Sequence, residues 1–365
     1  MTKKIKIIIA AGGTGGHVFP AYSLYNSFSE QKYNVELITD SRGYGFLKDH
    51  KNIKMSKIPS SPFIKKNILT IFVSTFIISY SILRSIFFLI LNRPKIIFGM
   101  GGYSSLPICI AATILKIKFI IYENNLIIGK ANRFLLPFAK KIFVSYKELE
   151  GVPNKYDNKV CLIGNLIRQE IINFYETKKD NNNLDTIKIL VLGGSQAAKI
   201  FAEKLPLIFK RCKEASIPIK IYQQCIKNQN DQLSMFYKNL SIDYEIFNFS
   251  SNITEYFSKA NLAITRSGAS ILSELTNARI PFISVPLPTS ADNHQLKNAI
   301  YYEKKSFGFL IEEKNLEIKL FDLIRLFYED KSLIEKIKMN QGQYSDKNVF
   351  QSINMLLEKI IDEKN

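Results

Sequence analysis

Six residues near the start of the chain, Gly12-Gly13-Thr14-Gly15-Gly16-His17, carry its strongest chemical signal. They follow an apolar run, Ile5–Ala10, and precede a stretch with helical spacing. Glycines let a chain turn sharply and bring its amides close to a phosphate or a sugar. The run lacks the lysine of GxxxxGK[ST] and its spacing is tighter than GxGxxG, so neither nucleotide-loop pattern applies. A glycine turn alone is a weak signal, since a purely structural turn has the same composition. His17 adds to it, because an imidazole there can act as a general base or hydrogen-bond a phosphate or an acceptor hydroxyl. The chain has only two other histidines: His294, which lies in another polar motif, and His50, which reads as a surface residue in a lysine-rich loop.

Further polar groups follow other apolar runs. Gly99-Met100-Gly101-Gly102-Tyr103 makes a second glycine turn, and Tyr122-Glu123-Asn124-Asn125 offers a carboxylate and two amides. In the second half, Gly193-Gly194-Ser195-Gln196 repeats the strand-to-glycine opening, and its amides and Ser195 suit a diphosphate. Arg266-Ser267-Gly268-Ala269-Ser270 supplies a cation for phosphate, and Glu274 a carboxylate for ribose hydroxyls. Asp292-Asn293-His294-Gln295 reads as a polar rim at a helix start. Any one of these groups could be a helix cap; their recurrence after successive strands points to a site.

The elements that must hold these groups alternate. Strand-like runs at 5–10, 34–39, 95–100, 118–123 and 141–145 are separated by helix-compatible sequence, including a helix over about 18–30. The rhythm restarts at 187–194 and continues through 219–224, 244–249, 262–265 and 281–286. Near-continuous apolar strands between helices predict parallel sheets covered on both faces, here two Rossmann-like α/β domains in tandem. Glycine turns at the carboxyl ends of such strands converge on the crevice where these sheets bind ligands. The expected domains span 1–163 and 164–345, with a linker near 160–186. The stretch 316–363 reads as helices, and its end, 346–365, is expected to cross back to the first domain.

Composition narrows the partners. Residues 1–165 hold 23 Lys and Arg against 8 Asp and Glu, and the remainder 27 against 24. A basic half beside a near-neutral one predicts an anionic partner for the first half, a membrane or a nucleic acid. The basic half lacks the aromatic–basic interleaving of a nucleic-acid binder, which favours the membrane. The four cysteines (Cys109, Cys161, Cys212, Cys225) are scattered and form no CxxC pair, so free thiols in a reducing compartment and no metal site are expected. The N-terminus reads as a buried strand rather than a cleaved signal. Residues 68–91 hold a single charge, Arg84, and are long enough to span a bilayer. Spanning would split one sheet across the membrane and put Arg84 in hydrocarbon. The segment therefore reads as a helix or helical pair lying at the interface, with Lys57, Lys65, Lys66, Arg93 and Lys95 at its ends to meet anionic headgroups.

GGTGGHVFPA, GMGGY, the ENN segment, GNLIR (164–168), GGSQ, RSGAS with Glu274, and DNHQLKNA occur in that order over roughly residues 5–300. This ordered set closely resembles the MurG family, the bacterial N-acetylglucosaminyltransferases that make lipid II. The resemblance implies the GT-B architecture, two Rossmann-like parallel-sheet domains facing a central cleft. It implies inverting, metal-independent transfer of N-acetylglucosamine from UDP-GlcNAc to the 4-hydroxyl of the muramyl sugar in lipid I, undecaprenyl-pyrophosphoryl-MurNAc-pentapeptide. No cofactor is implied. By position, Thr14, Gly15 and Gly16 fall on the loop at the cleft. Asn125, Arg168, Ser195 and Gln295 match donor-contacting positions, and Ala269 to Glu274 the stretch that holds the nucleotide, with Glu274 on the ribose. His17 matches the histidine considered for a base or acceptor-contacting role. Arg266 and helix N-termini would stabilise charge on the departing diphosphate. The implied partners are UDP-GlcNAc, lipid I, the anionic inner-membrane surface and cell-wall synthesis proteins, with no nucleic acid. The implied location is peripheral, on the cytoplasmic face of the bacterial inner membrane.

The chain departs from the family pattern at several places. Tyr122 stands for a histidine, Asn124 for a glutamine, Ala197 for a glycine and Ile271 for a threonine, and FSSNI (249–253) replaces an FIDDM-like stretch. Two other readings accommodate these changes: an enzyme of the same architecture with a different acceptor, such as a glycolipid, or a noncatalytic membrane scaffold. Retention of Arg168, Ser195, Glu274 and Gln295 disfavours the scaffold.

Overall fold

A computed structural model of the chain describes residues 4–31, 33–50, 52–60, 68–177, 185–194, 199–250 and 252–363. The chain divides into two compact units, Met1–Arg168 with Asn348–Asn365, and Gln169–Lys347.

The first unit runs β1 (Lys6–Ala10), α1 (Gly15–Glu30), β2 (Asn34–Thr39), α2 (Ser41–Leu47), β3 (Met55–Lys57), α3 (Ile68–Asn92), β4 (Ile96–Gly99), α4 (Gly102–Ile114), β5 (Phe119–Glu123), α5 (Lys130–Leu135), β6 (Lys141–Val144) and β7 (Val160–Leu162). Its seven strands are all parallel, in the order β3-β2-β1-β4-β5-β6-β7. The order reverses between β1 and β4, which pair in register so that Ala10 lies opposite Gly99. The turns after these strands therefore emerge side by side, at the switch point where such sheets bind ligands.

The second unit contains α6 (Gln169–Ile172), α7 (Phe174–Thr177), β8 (Ile187–Leu192), α8 (Lys199–Glu214), β9 (Ile219–Gln224), α9 (Asn230–Asn239), β10 (Asp243–Phe247), α10 (Ile253–Lys259), β11 (Leu262–Thr265), α11 (Ala269–Asn277), β12 (Phe282–Ser284), α12 (His294–Lys304), β13 (Gly308–Leu310), α13 (Leu316–Glu329) and α14 (Lys331–Gln341). Its six parallel strands follow β10-β9-β8-β11-β12-β13, with the switch between β8 and β11, where Leu192 lies opposite Thr265. A last helix, α15 (Val349–Asp362), returns to the first unit. There Val349, Ile353, Leu357 and Ile360 join Ile7, Ile9, Val18 and Phe28 in one core on one face of the sheet. The other face is covered by α4 and α5 together with Leu89 of α3.

Two expectations are corrected in detail. The first helix begins at Gly15 rather than near residue 18, because the Thr14 carbonyl already accepts the amides of His17 and Val18. The strand expected over 244–249 stops at Phe247; beyond it the Asn248 amide turns to the Cys225 carbonyl at 2.9 Å. Residues 68–92 form one helix, the first of the two forms expected. That helix is long and apolar enough to cross a membrane, yet three of its serines face inward, while Thr75, Ser79 and Arg84 stay exposed. Ser74, Ser81 and Ser85 are buried, while Phe72, Phe76, Leu83, Phe87 and Leu91 are exposed. The buried hydroxyls of Ser81 and Ser85 donate to carbonyls one turn back, Ile77 and Ser81, so a small polar face packs without orphaned groups.

Candidate functional site

In the first unit the site grows from the two turns at the switch point. Gly13 has φ +79°, and a Cβ on Gly12 would sit 2.7 Å from the Ser104 hydroxyl and 2.9 Å from the Asp40 carboxyl carbon. Only glycine fits there. The second turn has Gly101 at φ +84° and Gly102 at +71°. A Cβ on either would lie 3.2 Å from the His17 ring, so the imidazole rests across the two glycines. The structure thus brings together His17 and GMGGY, 84 residues apart from ring to Gly101. Thr14 is exposed, Gly15 buried, and Gly16 and His17 half-buried.

Both turns are tied to Asp40, which is 5% exposed at the end of β2. One carboxylate oxygen accepts the Gly43 amide at 2.8 Å and the Gly13 amide at 3.2 Å. The other accepts the Gly13 amide at 3.0 Å, the Ser104 hydroxyl at 3.0 Å and the Ser60 hydroxyl at 3.2 Å. Burial alone would push this carboxyl up, but the donors Gly43, Gly13, Ser104 and Ser60 outweigh it and hold it below the ordinary carboxylate range. Beside it, burial and then the Asp40 charge push the Tyr103 phenol up. The Gly13 amide, expected to be available to a phosphate, is therefore already engaged.

After β5, Glu123 organises the next loop. Its carboxylate accepts the Asn125 backbone amide (3.1 Å) and side-chain amide (3.0 Å), the Gly129 amide (2.8 Å) and the Asn132 side-chain amide (3.0 Å). Asn124 donates to the Gly16 carbonyl at 3.1 Å, which ties this loop to the start of α1. Asn125 stays half-exposed. Tyr122 is buried: its phenol pairs with the Ser145 hydroxyl and accepts the Leu166 amide, each at 2.9 Å. Two residues on, the Arg168 guanidinium lies 5.5 Å from the centre of the Phe19 ring on α1. His50 is not the bare surface residue expected; its ring is half-buried and 4.6 Å from that of Tyr22, away from the glycine turns.

The second unit carries a separate set. The Gly193 amide donates to the Gln224 side-chain oxygen at 3.1 Å, and the Gln224 amide donates to the Asn248 carbonyl at 3.1 Å. Gly194 has φ +76°. Ser195, Gln196 and Ala197 lie outside the described residues. Ala269 opens α11, where Glu274 is buried at 4% exposure and Ile271 half-buried. Ser273 and Asn277 of the same helix donate to the buried Asp346 carboxylate, each at 2.8 Å. Gln295 holds the loop after β12 by accepting the Leu287 amide at 2.9 Å, and Asn298 donates to the Ser267 carbonyl at 3.1 Å.

Arg266 differs from expectation. Its guanidinium is turned inward, 2.5 Å from the Glu313 carboxylate, and donates to the carbonyls of Val285 and Pro286 at 3.3 and 3.4 Å. At 8% exposure it braces the loop after β12 instead of presenting a free cation.

Sequence reasoning missed Asp40, Asn132 and Gln224, each of which fixes a turn or loop of the site; Asn298 was part of the DNHQLKNA motif. The signal for Asp40 was its place directly after a strand and before Ser-Arg-Gly, which reads equally as an ordinary helix cap. Among the described residues no group of three or more His, Cys, Asp or Glu is arranged to hold a metal ion.

Two family models match the chain: the glycosyltransferase family 28 N-terminal domain over residues 7–144 and the family 28 C-terminal domain over 188–353. Two relatives carry the name UDP-N-acetylglucosamine–N-acetylmuramyl-(pentapeptide) pyrophosphoryl-undecaprenol N-acetylglucosamine transferase. The Pelagibacter ubique protein is 36% identical over 362 residues, covering 98% of this chain and 99% of the relative. The Rickettsia bellii protein is 35% identical over 327 residues, covering 87% and 90%. Among solved structures, MurG of Acinetobacter baumannii superposes with a TM-score of 0.75 at 22% identity, covering 97% of this chain and 99% of that one. S. aureus MnaA bound to UDP gives 0.68 at 15% identity over 99% of each chain. These likenesses show the fold: two Rossmann-like domains of the GT-B type.

Proposed function

The chain belongs to glycosyltransferase family 28, among the UDP-N-acetylglucosamine–N-acetylmuramyl-(pentapeptide) pyrophosphoryl-undecaprenol N-acetylglucosamine transferases, and from that premise we propose that it forms lipid II. It transfers N-acetylglucosamine from UDP-GlcNAc to the 4-hydroxyl of the muramyl sugar of lipid I. The observation that carries this reading is the 36% identity spread along nearly the whole of both chains.

The acceptor hydroxyl attacks the anomeric carbon, UDP departs, and a single displacement inverts the configuration. His17 is the group that accepts the hydroxyl proton. Its ring is held against Gly101 and Gly102, so its place is set before the acceptor arrives. Thr14, Gly15 and Gly16 form the surface beside it.

The family resemblance assigns donor contacts to Asn125, Arg168, Ser195, Ala269, Glu274 and Gln295. Glu274 accepts from the ribose hydroxyls, and the start of α11 offers amides to charge that grows on the diphosphate. Arg266 serves this set by bracing the Val285–Leu287 loop through its pair with Glu313. The reaction needs no metal in this scheme, because fixed amides and cations carry the leaving-group charge.

The enzyme works at the cytoplasmic face of the inner membrane, with α3 as its contact. The exposed side chains Phe72, Phe76, Leu83, Phe87 and Leu91 support this, as does the burial of Ser74, Ser81 and Ser85 on the same helix. Arg84 is exposed among them, a position suited to headgroups and costly in hydrocarbon, which favours lying on the membrane over crossing it. Arg93, Lys95 and Lys57 lie near its ends; Lys65 and Lys66 fall outside the described residues.

Incubation with labelled UDP-GlcNAc and vesicles bearing lipid I tests the reading. The expected product is a disaccharide lipid, with turnover of His17→Ala reduced about 10²–10⁴-fold. Release of free N-acetylglucosamine without a lipid product would refute it.

A further inference from the structure

His17 sits in a slot with two walls. One is the loop Gly12 to Gly16, which its backbone continues; the other is the Gly101–Gly102 turn that leads into α4, on which its ring lies. No covalent segment shorter than the whole β1-to-β4 crossover joins these walls, yet both are bonded to one side chain. Asp40 takes the Gly13 amide from the first wall and the Ser104 hydroxyl, two residues beyond Gly102, from the second. We propose that Asp40 is a positioning residue for the transfer step: its carboxylate bolts both walls of the slot together and so fixes the imidazole of His17. The proposal rests on the reading of His17 as the group that meets the acceptor hydroxyl.

The bond pattern suits a carboxylate at this position, since both oxygens accept. The oxygen facing Gly43 caps α2, a task that Asn performs as well as Asp. The other oxygen accepts from Gly13, Ser104 and Ser60 at 3.0, 3.0 and 3.2 Å; the Gly13 N–H, which also reaches the first oxygen at 3.2 Å, can only donate. In Asp40→Asn, an oxygen kept toward Gly43 turns the side-chain NH₂ toward the Gly13 N–H. The Gly13 N–H keeps only its longer 3.2 Å bond to that oxygen, and the Ser104 and Ser60 hydroxyls must turn to accept, so the bolt is weakened. The helix cap survives while the bolt is weakened, so the substitution separates the two jobs. Of the donor-binding residues, Ser195, Ala269, Glu274 and Gln295 lie on the other unit, and Asn125 and Arg168 are not among the groups that bond to the Asp40 carboxylate, so UDP-GlcNAc binding is expected to be spared.

A double-mutant cycle between Asp40→Asn and His17→Ala tests this, with kcat and both KM values measured on the full chain. Asp40→Asn is expected to lower kcat 10- to 100-fold with the UDP-GlcNAc KM within twofold. In the His17→Ala background it should change the residual turnover by less than twofold, since the group it positions is gone. If Asp40→Asn proves insoluble, Ser104→Ala removes one bond of the bolt and leaves the carboxylate in place; a 3- to 10-fold loss is expected, again absent without His17. A loss that multiplies undiminished onto His17→Ala would show that Asp40 acts by general stability, and overturns the proposal alone. Wild-type kcat in soluble Asp40→Asn overturns it as well. Near-normal turnover of His17→Ala would sink the reading of His17 and the positioning role with it.

Discussion

The phenol oxygen of Tyr122 accepts the backbone amide of Leu166 at 2.9 Å, and through that bond β5 holds the start of the segment that ends in Arg168. Tyr122 occupies a position where the family resemblance led one to expect histidine, and its role is internal: both it and Leu166 are buried. In Tyr122→Phe the Leu166 amide would be left without this acceptor in a dry place, at a cost of about 1–3 kcal/mol. Urea unfolding should show that loss in the first unit. If Arg168 contacts the donor, the UDP-GlcNAc KM should rise with little change in kcat. An unchanged unfolding midpoint would show that the bond does not contribute.

The inward pairing of Arg266 with Glu313 leads to a prediction of definite sign. If Arg266 works by bracing the loop after β12, Glu313→Gln loosens that loop and raises the donor KM several-fold. If Arg266 instead meets the diphosphate, removal of its competing carboxylate frees the guanidinium and lowers the donor KM. Steady-state kinetics with varied UDP-GlcNAc distinguishes the two. Glu313 is partly exposed, so the accompanying stability loss should stay near about 1–2 kcal/mol, below that of a fully buried pair.

Membrane contact through α3 predicts that the outward phenylalanines matter for binding and not for chemistry. Each fully buried phenylalanine contributes about 1.5–3 kcal/mol. Phe76→Ser with Phe87→Ser should therefore weaken sedimentation with anionic liposomes by about 10-fold or more, while turnover with a short-chain, soluble acceptor stays within twofold. Binding of the unaltered chain should also weaken as salt rises. Equal liposome binding by the double variant would remove α3 from the contact.

Two buried carboxylates predict how the first unit responds to acid. Glu36 lies between Lys6 at 3.1 Å and Lys54 at 3.2 Å and accepts from the Ser56 hydroxyl at 2.7 Å. Burial raises its carboxyl, but the bonds from Ser56, Lys6 and Lys54 outweigh that and depress it, as the donors around Asp40 do there. A depressed native pKa means the unfolded chain binds the proton more readily. The stability these groups contribute is therefore complete above the ordinary carboxylate pKa of about 4, and is lost as pH falls through the native values. Urea midpoints measured from neutral pH down to about 3 should fall steeply at the acid end. Asp40→Asn should flatten part of that fall.

The two parallel sheets were legible because their strands are apolar runs and their turns are marked by glycine. Gly12, Gly13, Gly101, Gly102 and Gly194 stand where a positive φ or a close approach is needed. The three-residue strands β3, β7 and β13 were not foreseen, since so short a run has no readable period. The inward turn of Arg266 was hidden because its partner, Glu313, lies after two further strands and comes near only in the folded sheet. Asp40 was hidden for another reason: its bonds to Gly13 and Ser104 look, from sequence alone, like one ordinary cap of α2. The serine face of α3 was visible in the spacing of Ser74, Ser81 and Ser85, but the apolar character of the whole segment obscured it.

The account stands or falls on the reaction itself, and the most direct measurement is transfer from labelled UDP-GlcNAc to a short-chain lipid I analogue with EDTA present. The account predicts a disaccharide lipid with an inverted, β-configured linkage, and one UDP released for each sugar moved. Binding of UDP-GlcNAc with no transfer to this acceptor, or transfer abolished by EDTA and restored by a divalent cation, would contradict it.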